Sequence, residues 1–172
     1  LGVSVFLLKT VREEMRYDIT QLVVEAGKRF EISLENMDGM AHNLVVVKPG
    51  QRQRVAESVQ TNQPTKLDKK GRAFVPDNDP AVLAATRLVE AGQKESLSMT
   101  APAEPGAYEY VCTFPGHWQI MWGRLIVVTD LDAPVPAAPA PAEPVPAAPV
   151  PAAPAPAGAA VDHSAHRHPA GK

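Results

Sequence analysis

The chain of 172 residues has one cysteine, so no internal disulfide can form. It has no excess of charge of either sign. The formal net charge is −2, and cations and carboxylates nearly balance between residues 1 and 130. Nucleic acid and anionic membranes are therefore not expected partners. No apolar run in the sequence is long enough to span a bilayer. Helical periodicity is nearly absent. The sequence opens at Leu1 without a signal peptide, so the expectation is a mature form or an excised part of something longer.

Proline is plentiful but uneven. Ten of the 18 prolines lie between residues 133 and 160, a stretch that is almost all Ala and Pro with no hydrophobic period. Such a segment cannot bury a core, so 131–160 is expected to be a disordered, extended, polyproline-like linker. Residues 161–172 are expected to be a disordered tail carrying His163, His166 and His168. These three read either as a mobile secondary metal site or as a disordered stub. The remainder, 1–130, matches the size of one globular domain.

Within 1–130, short apolar or alternating runs are separated by turn residues. Strands are expected at Val3–Leu8, Ile19–Val24, Phe30–Leu34, Leu44–Val47, Glu95–Met99, Tyr108–Cys112 and Leu125–Thr129. Phe30, Ile32 and Leu34 alternate with polar residues, which gives one buried face, whereas Leu44–Val47 reads as buried on both. Val55, Ala56 and Val59 are spaced for a short helical excursion around residues 50–60. Val82–Val89 fits a helical turn or a strand. Seven to eight strands joined by turns predict an all-β fold, a β-sandwich.

The chemistry concentrates in Cys112-Thr-Phe-Pro-Gly-His117-Trp-Gln-Ile-Met121. Pro115 and Gly116 make this segment a tight loop rather than a helix. A thiolate, an imidazole and a thioether thus share one bend. With a second imidazole they form the ligand set of a type 1 (blue) copper site, and the candidate is His42. Within 1–130 the only histidines are His42 and His117, and the only cysteine is Cys112. Asn43 and Thr113 follow two of the ligands, and their side chains are expected to tie the two ligand segments together. The backbone amides of Asn43 and Phe114 are expected to donate to the Cys112 sulfur. Phe114, Pro115, Trp118, Met37 and Met40 supply apolar side chains for a rim around the His117 ring edge, where a redox partner would dock.

These readings predict one copper and one-electron transfer. The alternative is copper storage or delivery by the domain site together with the histidine tail. A copper oxidase or nitrite reductase needs further centres, for which 1–130 has no spare histidine, so the chain is not expected to be an enzyme. A cysteine-nucleophile enzyme lacks a third orienting group. Zinc could occupy the same ligands without colour.

At these residues the sequence resembles the cupredoxins, in particular their azurin-, auracyanin- and plastocyanin-like members. The copper loop Cys112–Met121 carries the resemblance, with Tyr17-Asp18, Val24-Glu-Ala-Gly27, Glu35-Asn36 and His42-Asn43-Leu-Val upstream. It covers roughly residues 3–130 and implies a Greek-key β-sandwich and His42, Cys112, His117 and Met121 as ligands. It also implies outer-sphere transfer through His117. A cytochrome or haem domain is the implied redox partner, fused or tethered, and the implied location is periplasmic or otherwise extracytoplasmic. Two departures stand out. The disulfide that azurins have near the start cannot form here, and Ala41 stands where azurins have a glycine before the first histidine.

Overall fold

The computed structural model describes residues 2–132 and residue 134. The histidine tail and nearly all of the Ala/Pro-rich stretch lie outside the described residues. In chain order the elements are β1 (Ser4–Val11), β2 (Arg16–Tyr17), β3 (Gln21–Glu25), β4 (Arg29–Glu35), β5 (Val45–Val47), α1 (Arg52–Glu57), β6 (Val82–Ala85), β7 (Lys94–Thr100), β8 (Gly106–Val111) and β9 (Trp122–Val128). The ambiguous segment is thus a strand at 82–85, and the helix falls inside the expected excursion. One strand more than expected appears, the two-residue β2, which pairs with the end of β1.

Two sheets stack, one ordered β2-β1-β4-β7 and the other β3-β9-β8-β5-β6. The pairs β1–β4 and β3–β9 are parallel, and the remaining pairs are antiparallel. Alternation sets the interior. Phe30, Ile32 and Leu34 from β4 meet Leu22, Val24, Tyr108, Tyr110, Leu125 and Val127 from the other sheet in one buried cluster. Burying each such side chain contributes about 1.5–3 kcal/mol, as an upper bound. β5 is covered on both faces, as its unbroken valines suggest. Val46 joins that main cluster, whereas Val45 and Val47 pack with Val55 of α1, Val75 and Val111.

Strand register does the work of assembling the site. Antiparallel pairing puts Val45 opposite Val111, so the residues just before β5 run alongside those just after β8. Pairing of β8 with β9 puts Val111 opposite Trp122, so Cys112 and Met121 stand at the two ends of one connecting loop. Beneath them Tyr17 and Tyr110 pack edge to face, centroids 5.5 Å apart. The Tyr17 hydroxyl donates to the Asn43 carbonyl at 2.6 Å, and the Tyr110 hydroxyl to the Ile19 carbonyl at 2.6 Å.

Candidate metal centre

The 112–121 loop is closed by its own backbone. Cys112 N–H donates to the Met121 carbonyl at 3.0 Å, and His117 N–H to the Phe114 carbonyl at 3.0 Å. Met121 N–H returns to the His117 carbonyl at 2.9 Å. Gly116 takes φ +83°, a left-handed conformation that glycine adopts without penalty. Its N–H is held by the Gln60 side chain at 2.9 Å, and the Gln60 amide also donates to the Thr113 carbonyl at 3.2 Å. Gln60, just beyond α1, thus clamps the loop from outside; its residue type carried no signal for this in the sequence.

His42 arrives from the other side, fixed by a two-way backbone bridge with Val89 at 3.1 and 2.7 Å. Its Nδ1 lies 3.7 Å from the Cys112 sulfur, and His117 Nδ1 lies 3.6 Å from it. The three ligand atoms are all within 4.8 Å of one another. A metal about 2.3 Å from a thiolate and about 2.0 Å from an imidazole nitrogen, with bonds about 120° apart, needs roughly 3.7 Å between sulfur and nitrogen. The two sulfur–nitrogen separations found fit such an ion. Met121 is fully buried in the same cluster as Cys112. All four side chains are at most 1% exposed.

Burial shapes the electrostatics. Desolvation pushes the Cys112 thiol up to about 12, opposed by hydrogen bonds from the backbone N–H groups of Asn43 and Phe114. These are the two amides expected to reach the sulfur. A bound cation would supply the missing stabilisation of the thiolate. Desolvation lowers His117 to about 4, helped by the neighbouring His42, so its imidazole is neutral and available as a ligand near neutral pH. The Nε2 of His117 is buried without a hydrogen-bond partner.

Asn43 and Thr113 interlock. The Asn43 amide donates to Thr113 Oγ1 at 2.9 Å, and Thr113 N–H donates back to Asn43 Oδ1 at 2.8 Å. The Thr113 hydroxyl donates to the Phe74 carbonyl. Phe74 is a buried non-glycine residue at φ 57°, a conformation that costs on the order of 1–3 kcal/mol and persists only where surroundings enforce it. Its ring meets Phe114 at 5.3 Å, and Phe114 meets His117 at 4.7 Å. Met37 and Met40 are 46% and 45% exposed, and Pro115 is half-buried. Trp118 is also half-buried and packs against the cluster beneath α1. The ring of His117 itself is covered rather than open to solvent.

Sequence reasoning missed Asp38. Its Oδ2 lies 2.9 Å from His42 Nε2. The hydrogen bond from His42 lowers the carboxyl against the opposing effect of desolvation, and the N–H groups of Glu13 and Gly39 add to the lowering. The position four residues before a proposed ligand was the one available hint.

Comparison with known proteins agrees with this geometry. Residues 5–128 match the family described as copper binding proteins, plastocyanin/azurin family. Auracyanin-A of Chloroflexus aurantiacus is 31% identical over 116 residues, 67% of this chain and 68% of that one. Azurin of Achromobacter denitrificans is 32% identical over 123 residues, 66% of this chain and 77% of that one. The solved structure of auracyanin A, described as a "blue" copper protein, superposes with a TM-score of 0.66 at 28% identity. It covers 74% of this chain and 100% of that one. The chain belongs to the plastocyanin/azurin family of copper-binding proteins, with one type 1 copper as its cofactor and electron transfer as its function.

Proposed function

We propose that His42, Cys112, His117 and Met121 would hold the copper, with the thiolate and the two imidazoles as its principal donors and the thioether as the fourth. The observation that carries this reading is the pair of sulfur–nitrogen separations, 3.7 and 3.6 Å, among three fully buried donors. When bound, copper supplies a one-electron Cu(II)/Cu(I) couple. The protein's part is to keep the donors still while the charge changes. The Asn43–Thr113 interlock joins the two ligand segments, and the Gln60 clamp and the loop's own backbone bonds restrain 112–121, so little reorganisation would accompany transfer.

His117 would be the side chain through which the copper exchanges an electron with a redox partner such as a cytochrome or haem domain. That partner docks on an apolar patch including Met37, Met40, Pro115 and Trp118. The exposure of the two methionines supports this, because flexible thioethers adapt to a partner surface. The chain acts as a carrier and not as an enzyme: no third imidazole exists within 1–130 to build a second centre. It works in the periplasm or another extracytoplasmic space, as a domain over 1–130. Among the described residues, no helix is long and apolar enough to cross a membrane.

The test is an electron paramagnetic resonance spectrum of the oxidised, copper-loaded chain. A small copper hyperfine splitting and an intense blue or blue-green colour are expected, and both disappear in Cys112→Ser. A chain that stays colourless with Cu(II), or a spectrum indifferent to that substitution, overturns the assignment.

A further inference from the structure

We propose that Asp38 is a positioning residue for the copper ligand His42 and lowers the reduction potential of the site. The proposal rests on the ligand assignment above. An ionised carboxylate only accepts hydrogen bonds. At 2.9 Å from Asp38 Oδ2, His42 Nε2 therefore donates, which turns Nδ1 toward the Cys112 sulfur as the nitrogen a metal would take. Outer carboxylates of this kind fix the tautomer and ring orientation of a ligating histidine and raise its basicity.

The carboxylate is itself held from every side. Its Oδ1 accepts the N–H groups of Glu13 at 3.1 Å and Gly39 at 2.8 Å. The Asp38 N–H reaches Thr10 Oγ1 at 3.1 Å and Asn36 Oδ1 at 3.0 Å, and these two side chains bond each other at 2.9 Å. The Asn36 amide donates to the carbonyl of Val89, the residue that pairs with the His42 backbone. Thr10, Asn36, Asp38 and His42 thus form one buried network. Glu13 sits at φ 61° and Met15 at φ 49°, so the loop that supplies the Glu13 N–H is bent into a conformation that needs such an anchor.

Charge gives the second consequence. Asp38 is 7% exposed, and among the described residues the basic side chain in contact with it is the imidazole of His42. Arg12 lines the same surface hollow as Asp38, with Met15 and Met40, but no ion pair with Asp38 is formed there. With copper held there, the Cys112 thiolate and the Asp38 carboxylate would balance the two charges of Cu(II), and one of these buried anions would be left uncompensated against Cu(I). Asp38 therefore favours the oxidised state.

Two variants of the full chain separate the roles. Asp38→Asn keeps an acceptor for Nε2–H and removes the charge; Asp38→Ala removes both. In Asn the copper redox equilibrium should shift at least tenfold toward Cu(I), about 59 mV for a one-electron couple. In Ala the zinc affinity, measured by chelator competition, should fall roughly 10–100-fold. In the metal-free parent, side-chain nitrogen-15 resonances should show hydrogen on His42 Nε2. An Asn potential equal to the parent's, an Ala zinc affinity equal to the parent's, or a parent His42 with a bare Nε2 each overturns the proposal. A parent that binds neither metal refutes the ligand assignment itself, whereas a parent that binds both while the Asn potential and the Ala zinc affinity match it refutes only the role of Asp38.

Discussion

The interlock between Asn43 and Thr113 joins the two segments that carry the ligands, and its removal should be measurable without any metal present. Asn43→Ala strips the acceptor from the buried Thr113 N–H and removes the donor to Thr113 Oγ1. Asn43 and Thr113 are both 0% exposed, so water cannot replace the lost partner. An orphaned buried donor costs about 1–3 kcal/mol and a lost net hydrogen bond about 0.5–1.5 kcal/mol. Together they predict a loss of roughly 2–4 kcal/mol, out of a total of about 5–15 kcal/mol for a typical domain. Thr113→Val leaves the Phe74 carbonyl without its donor and should cost about 1–3 kcal/mol. Because the two side chains share their hydrogen bonds, the double variant should be less destabilised than the sum of the two, with a coupling of about 0.5–3 kcal/mol. Urea unfolding of the metal-free chain, followed by the fluorescence of Trp118 and Trp122, gives all three values. A cost below about 1 kcal/mol for Asn43→Ala, or strict additivity, would refute the reasoning. With copper bound, loosening the segment that presents the Asn43 N–H to the sulfur should lower the reduction potential, since a less hydrogen-bonded thiolate favours Cu(II).

Two further predictions concern packing and pH. A Cβ on Gly123 would lie 2.3 Å from the Tyr110 ring and hydroxyl, so Gly123→Ala must displace a buried tyrosine and break its bond to the Ile19 carbonyl. A loss of about 2–5 kcal/mol is expected in urea, and a loss under about 1 kcal/mol would mean that the ring moves freely. For the metal-free chain, His117 titrates at about 4 folded against 6.5 free. The unfolded chain thus binds more protons between these values, and stability falls as pH drops from 6.5 toward 4, by roughly 3 kcal/mol in all. Cys112 titrates at about 12 folded against 9 free, so stability also falls as pH rises above 9. Urea midpoints that stay flat from pH 4 to 10 in the metal-free chain would contradict both assignments.

The loop from Cys112 to Met121 could be read from the sequence because its chemistry is local. Covalent spacing alone brings a thiol, an imidazole and a thioether onto one bend, and Pro115 and Gly116 forbid a helix there. Phe30, Ile32 and Leu34 announced a half-buried strand, and Leu44 to Val47 a fully buried one, because side chains alternate across a pleat whatever the fold. Val82 to Ala85 was ambiguous for the converse reason: a short apolar run has no period of its own, and pairing with β5 made it a strand.

The distance between His42 and Cys112, 70 residues apart in the chain, is a property of register. Only the pairing of Val45 with Val111 and the bridge to Val89 bring the imidazole to the sulfur. The same holds for Asp38 and Gln60, whose residue types are ordinary for a turn and for the end of a short helix. Their roles come from long-range hydrogen bonds, to the Glu13 amide for Asp38 and to the Gly116 amide for Gln60. The covering of His117 arose likewise from packing against Phe114, itself held by Phe74 from another loop. Residue identity and local spacing determined which atoms could bind a soft metal; tertiary contacts decided how those atoms are aimed, shielded and charged, because direction and burial depend on neighbours remote in the chain.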